Sequence, residues 1–216
     1  MKAQGAGLAQ QRFRRVGRPV ALRLWDFRLE GFERLPAEGP AILAPNHISF
    51  LDSAFLMLHV PRNISFVGKA EYMDSWKTRV LFPMMGMIPI DRGSGAKAIR
   101  VLHKAAKHAF AQYRPVIIFP EGTRKKIGAA PDYKPGVAAL YALLGAPCVP
   151  VAHNSSLFWD GWFLRKPGTV VVEYLKPIPA GLKRGEFMHA LETRIEHAQK
   201  HLIAEGRTLL AANGWA

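Results

Sequence analysis

Acidic residues are scarce in this 216-residue chain. Sixteen Asp and Glu stand against 30 Lys and Arg, for a formal net charge of +14 and a pI near 10.3. An excess of that size points to an anionic partner: nucleic acid, a membrane surface or a phosphorylated substrate. Charge alone does not choose among them. Cysteine is scarcer still. Cys148 stands alone, which excludes an intramolecular disulfide and fits a reducing compartment. Long apolar runs are missing too: Val137 to Ala152 is uncharged but is broken by Gly145, Pro147 and Pro150, and it falls short of the roughly 20 residues that span a bilayer. No transmembrane helix is expected, and the N-terminus lacks an apolar core suited to a signal peptide.

Several motifs are absent as well. There is no GxSxG to mark a serine nucleophile. Gly93-Ser94-Gly95-Ala96-Lys97 lacks the adjacent Gly-Lys of a phosphate loop. His197 and His201 lie four apart, but no carboxylate or cysteine completes a metal set, and His103, His108 and His153 are scattered. No recognition helix, zinc spacing or stacking platform is evident, so nucleic acid is not an expected partner.

What is present is a globular pattern, 49% apolar. Alternation across Phe27 to Phe32 predicts a strand. Short apolar runs recur at Ala41–Ala44, Ile64–Val67, Met87–Ile90, Val116–Phe119, Cys148–Ala152 and Val170–Tyr174. Helical periodicity separates them, clearest at Lys97 to Tyr113 and Pro135 to Leu144, and Phe187, Leu191, Ile195, Ala198 and Leu202 form a stripe on a closing helix. Continuous apolar strands alternating with helices predict an α/β fold: one domain with a largely parallel or mixed sheet covered by helices on both faces.

The first 25 residues read as a basic arm ahead of a domain over 26–216. Arg12, Arg14, Arg15 and Arg18 precede the first acid, Asp26, and Phe13, Val16, Val20 and Leu24 form one stripe. Gly17 and Pro19 place the expected helix start near Pro19 rather than Phe13. With Trp25 at its end, such a helix suits an interfacial anchor, and packing on its own domain is the alternative.

The stretch NHISFLD, 46–52, puts His47 five residues before Asp52. Five residues turn about 500° around a helix, so the two side chains meet only if His47 precedes a helix whose first turn holds Asp52. Ser49-x-x-Asp52 is a capping-box-like start. Two readings stand on this stretch. Asp52 simply caps the helix, or it also accepts a proton from one imidazole nitrogen and leaves the other to act as a base. With no protein nucleophile marked, such a base would activate a substrate hydroxyl.

A second stretch, Phe119-Pro-Glu-Gly-Thr-Arg124, follows a strand, where open α/β sheets bind ligands. Gly122 permits close backbone approach, and Arg124 offers a planar fork suited to phosphate. Arg92, ending Gly86-Met-Ile-Pro-Ile-Asp-Arg, and Lys69 also follow strands and could converge on one anion. Leu81 to Ile88 is read as ordinary core rather than an acyl channel.

Taken in order, NHISFLD, GMIPIDR, FPEGTR and CVPVAH match the four sequence blocks of the glycerophospholipid acyltransferase superfamily. Over Phe27 to Pro177 the chain resembles its bacterial 1-acylglycerol-3-phosphate acyltransferases. The resemblance implies the superfamily's acyltransferase fold. It implies transfer of a fatty acyl group from acyl-CoA or acyl-carrier protein to a lysophospholipid hydroxyl, without cofactor or metal. It casts His47 as general base and Asp52 as its orienter. Glu121, Gly122, Thr123 and Arg124 become the acceptor-binding block, and Arg92 and Lys69 share the phosphate. Another lysolipid acceptor is the alternative; a non-enzymatic basic binding protein is a second. Many relatives carry a membrane-embedded N-terminal segment where this chain has only the basic arm. The expected address is the cytoplasmic face of an anionic membrane, as a peripheral protein.

Overall fold

The apolar runs pair into one sheet in the computed structural model, which describes residues 2–24, 26–49, 52–160, 164–166 and 168–215, without the side chains at 2–6, 18, 20–24, 77, 92, 160, 164 and 165. In chain order the elements are α1 (Lys2–Leu24), β1 (Asp26–Glu30), β2 (Ile42–Pro45), α2 (Asp52–His59), β3 (Ser65–Lys69), α3 (Trp76–Met84) and β4 (Met87–Ile90). There follow α4 (Ala96–Ala111), β5 (Val116–Ile117), α5 (Gly136–Leu144), β6 (Cys148–His153), the short pair β7 (Trp159–Asp160) and β8 (Leu164–Arg165), β9 (Thr169–Tyr174) and α6 (Arg184–Ala212).

Seven strands form the main sheet in the order β1-β9-β6-β2-β5-β3-β4, and β7 pairs with β8 apart from it. All neighbours run parallel except β6 and β9. The sheet is therefore mixed, within the expected α/β class.

Strand periodicity sorts the core into two layers. Ile42 and Ala44, Val116 and Ile118, Cys148 and Ala152 face the side carrying Leu102 and Ala106 of α4, Leu140 of α5 and Phe187 and Leu191 of α6. Leu43, Ile117, Val149 and Val151 face the other side with Leu56 and Met57 of α2. The Val, Leu, Ile, Phe and Met side chains buried this fully contribute about 1.5–3 kcal/mol each relative to exposure. Cys148 lies wholly inside, a structural thiol whose burial pushes its pKa up.

The N-terminal helix differs from expectation. It does not begin near Pro19 but runs from Lys2 to Leu24, through both Gly17 and Pro19. Tertiary packing outweighs the local breakers. Gly17 lies against α2, where an added Cβ would come within 3.0 Å of Leu58. Gln10, fully buried, donates to the carbonyls of Ile64 and Met85 and accepts from Ile64 N–H, matching its amide to backbone on both sides. Arg14 donates to Arg62 O at 2.7 Å and to Asn63 Oδ1 at 2.9 Å. The stripe is divided accordingly: Phe13 packs on the core while Val16 is exposed. Trp25, expected to end the arm, lies outside the described residues.

Leu81 to Ile88 also divides. Met87 and Ile88 are core, as read from the sequence, but Leu81 and Met84 on α3 are exposed beside Trp76 and Val80. Among the described residues no helix is long and apolar enough to cross a membrane.

Candidate active site

Four consecutive strands of the sheet, β2, β5, β3 and β4, are parallel, so their C-terminal ends share one edge. His47 follows β2, the Phe119–Arg124 stretch follows β5, Lys69 ends β3 and Arg92 follows β4. Residues far apart in sequence are thus aligned along one rim about 14 Å long, three strand spacings. The helices leaving β2 and β5 pack on opposite faces of the sheet, α2 on one and α5 on the other. That divergence opens a crevice between adjacent strand ends, where open α/β sheets bind their ligands.

His47 stands in the turn before α2, and Asp52 opens the helix as described, with Phe50 and Leu51 outside the described residues. Asp52 Oδ2 accepts three hydrogen bonds of 2.9 Å, from His47 Nδ1 and from the backbone N–H groups of Ile48 and Ser49. One oxygen therefore accepts both from the N–H groups at the helix start and from the imidazole. Because a carboxylate only accepts, Nδ1 of His47 carries the hydrogen, and in the neutral ring the lone pair is therefore on Nε2.

Asp52 is buried, its side chain 0% exposed against 21% for His47. Burial alone would push its pKa up. The neighbouring His153, the His47 hydrogen bond and the Ser49 amide outweigh that and hold the carboxyl below its ordinary value. Its second oxygen, Oδ1, accepts from Ser155 Oγ at 3.0 Å.

The FPEGTR turn builds the opposite wall. Gly122 has φ 68, the left-handed region that glycine occupies without steric cost. Phe119 stacks on the His47 ring, centroids 4.1 Å apart. Glu121 is buried, and its Oε2 accepts from His47 N–H at 2.9 Å, while Lys125 N–H donates to His47 O at 2.8 Å. The backbone of His47 is thus held on both sides by the turn after β5. Burial, with Glu196 and Asp52 nearby, raises the Glu121 carboxyl to about 7 against the pull of the His47 amide. The Gly122 N–H donates to Phe119 O, which commits it to the turn.

The basic residues lie at or after the ends of strands that share the same rim. Thr123 and Arg124 are exposed, two and one residues before Lys125. Lys69 is partly exposed, 3.9 Å from Glu71. Arg92 opens a short 3-10 turn whose first N–H groups are organised by Asp91, and its side chain lies outside the described residues. Among the described residues no group of three or more His, Cys, Asp or Glu could hold a metal ion.

Sequence reasoning did not find Asn46, His153 or Ser155, which pack behind Asp52, nor the stacking role of Phe119. The only signal was that Asn46 opens one block, Phe119 opens another and His153 closes a third, with Ser155 two residues beyond it; nothing in their spacing relates residue 46 to 153.

Residues 26–154 match the family described as Acyltransferase. Among curated proteins, the chain is 27% identical over 189 residues to 1-acyl-sn-glycerol-3-phosphate acyltransferase alpha of Ovis aries, covering 84% of this chain and 65% of that one. It is 32% identical over 152 residues to 1-acyl-sn-glycerol-3-phosphate acyltransferase of Pseudomonas aeruginosa, covering 68% and 56%. The aligned stretches thus span less than two thirds of either relative. The fold is similar to that of the 1-acyl-sn-glycerophosphate acyltransferase PlsC of Thermotoga maritima, with TM-score 0.72, 19% identity and coverage of 89% of this chain and 79% of that one.

Proposed function

The chain belongs to the acyltransferase family, and we propose that it transfers a fatty acyl group from a thioester donor, acyl-CoA or acyl-carrier protein, to the free hydroxyl of a lysophospholipid. The relatives' names point to 1-acylglycerol-3-phosphate as acceptor, with phosphatidic acid as product. The observation that carries the reading is the His47–Asp52 pair: an imidazole held at 2.9 Å by a fully buried carboxylate, its other nitrogen free of that bond, on a turn whose backbone is tied to Lys125, the residue after Arg124.

In this reading the acceptor hydroxyl lies against His47 Nε2. The nitrogen takes the hydroxyl proton as the oxygen attacks the thioester carbon, and Asp52 stabilises the imidazolium that forms. The tetrahedral intermediate collapses with loss of thiolate, which takes the proton back from His47. An ester and a free thiol result. A thioester is already activated, so the residues need supply only proton transfer, orientation and charge.

Arg124 would grip the acceptor phosphate through its planar fork, with Arg92 and Lys69 along the same rim and Glu121, Gly122 and Thr123 shaping the turn. Peripheral attachment to an anionic membrane surface is supported by two packed helices. Leu8 and Val16 of α1 and Trp76, Val80, Leu81 and Met84 of α3 are all exposed, beside the arginines of α1.

The test is thiol release by purified protein, crossing acyl-CoA and acyl-carrier donors with several lysolipids. His47→Ala is expected to lose about 10²–10⁴-fold in kcat while folding normally. Near-normal turnover of that variant, or no transfer from the wild type to any lysolipid, refutes the reading.

A further inference from the structure

Behind the His47–Asp52 pair lies a second imidazole that the acyl-transfer scheme leaves unused. His153 ends β6 and is 3% exposed. Its Nε2 lies 2.9 Å from the backbone oxygen of Asn46, which can only accept, so Nε2 carries a hydrogen. The Asn46 side chain completes the clasp: its Nδ2 donates to His153 O, and its Oδ1 accepts from His153 N–H. The residue just before His47 is therefore locked to His153 by three hydrogen bonds, and its own N–H donates to Val151 O of β6.

The other ring nitrogen meets a shared hydroxyl. Ser155 Oγ lies 3.1 Å from His153 Nδ1 and 3.0 Å from Asp52 Oδ1. That hydroxyl has one hydrogen. With a neutral His153 ring, Nδ1 and Asp52 Oδ1 compete for it. With both ring nitrogens protonated, the chain closes: Nδ1–H donates to Ser155 Oγ, and the hydroxyl donates to Asp52. His153 Nε2 is itself 3.8 Å from Asp52 Oδ1.

Among the described residues, the titratable groups acting on His153 are Asp52 of α2 and His47 of the preceding turn, and Glu121 from the turn after β5 acts on Asp52 in turn. Burial opposes charging the ring and outweighs Asp52 and the Asn46 carbonyl, which favour it, so the His153 pKa is held below its ordinary value. Two imidazoles thus flank one carboxylate, one on each oxygen.

We propose that His153 is a positioning residue for acyl transfer: through the Ser155 hydroxyl it fixes the Asp52 oxygen that the His47 turn leaves unheld, and so fixes the carboxylate plane that aims the His47 ring. The inference rests on the reading of His47 as the base.

Its test uses the full chain with Ser155→Ala, which removes one oxygen, and His153→Gln, which keeps a donor for Asn46 O but abolishes the ring. Both are expected to lower kcat about 10- to 100-fold, as loss of an outer partner of a reacting group commonly does, with KM for the acyl donor unchanged. In Ser155→Ala the acidic limb of the kcat/KM profile moves to higher pH, because a carboxylate with one donor fewer holds the imidazolium of His47 more tightly. Ser155→Thr, which returns a hydroxyl, recovers activity.

Nitrogen-15 spectra of the imidazoles give a readout independent of turnover. They are expected to show a single His47 tautomer, protonated at Nδ1, in the wild type, and exchange between tautomers in Ser155→Ala. If the wild type transfers no acyl group yet the tautomers still change, the acyltransferase reading fails and the positioning role stands. If kcat falls while the acidic limb and the His47 tautomer stay as in the wild type, the network is merely structural and the proposal is overturned. Wild-type kinetics in both variants overturn it equally.

Discussion

Asp52→Asn separates the charge of this carboxylate from its geometry, and the structure says which way the new amide would sit. Two backbone N–H groups, of Ile48 and Ser49, point at the Oδ2 position. An NH₂ placed there would face two donors, so the amide oxygen takes that place and continues to accept from His47 Nδ1. The NH₂ then falls at the Oδ1 position, where it donates to Ser155 Oγ, and the hydroxyl is released to His153 Nδ1. Every hydrogen bond of the site is kept, along with the His47 tautomer. Only the charge is lost. A carboxylate and an imidazolium with charge centres about 4 Å apart attract by about 4 kcal/mol at an effective dielectric constant of 20. Their attraction exists after proton transfer but not before, so its loss raises the barrier rather than weakening substrate binding. We predict a fall in kcat of about a thousandfold, unchanged KM and a melting temperature near that of the wild type. Steady-state thiol release with parallel thermal melts measures both. Asp52→Ala is the control. It strands two buried N–H groups and should destabilise the fold by about 1–3 kcal/mol for each. Turnover of Asp52→Asn within tenfold of the wild type, or a melt as low as that of Asp52→Ala, would show the charge or the geometry to be misjudged.

Two further outcomes follow from the turn after β5. Glu121 has a raised carboxyl, near 7, so the unfolded chain releases this proton first as pH rises; stability present below about pH 4.5 is lost through pH 7, by about 3 kcal/mol. Glu121→Gln keeps an acceptor for His47 N–H and removes that loss, so urea melts should find the variant gaining on the wild type between pH 5 and pH 8; a constant difference across that range would contradict the burial argument. Arg124→Lys keeps the charge but not the bidentate fork and should raise KM for the lysolipid with little effect on the acyl donor. Identical kinetic constants for both substrates would remove Arg124 from the acceptor site.

Much of this was written along the chain. Apolar runs of strand length, helical stripes between them and the four blocks around His47, Arg92, Arg124 and Pro150 are local patterns, and local patterns survive in one dimension. Even the meeting of His47 with Asp52 could be anticipated, because both lie within a single helix start. The pairing of residue 46 with 153, and of Asp52 with Ser155, could not: each joins a side chain to a partner over a hundred positions away, and only the β2–β6 register brings them together. The N-terminal helix shows the opposite case. Gly17 and Pro19 break a helix considered alone, yet the helix runs through both, tied ahead of them by Gln10 and Arg14 and packed at Gly17 against Leu58.

By itself, then, the sequence determined which elements form, which family the chain resembles and which histidine meets a carboxylate, since each depends on neighbours a few residues away. Tertiary structure alone decided that β2 and β5 lie side by side, that a second imidazole stands behind the first carboxylate and that the arm is one long helix. Those outcomes turn on which buried polar groups find partners across the fold, and partners supplied by distant strands leave no periodicity to read.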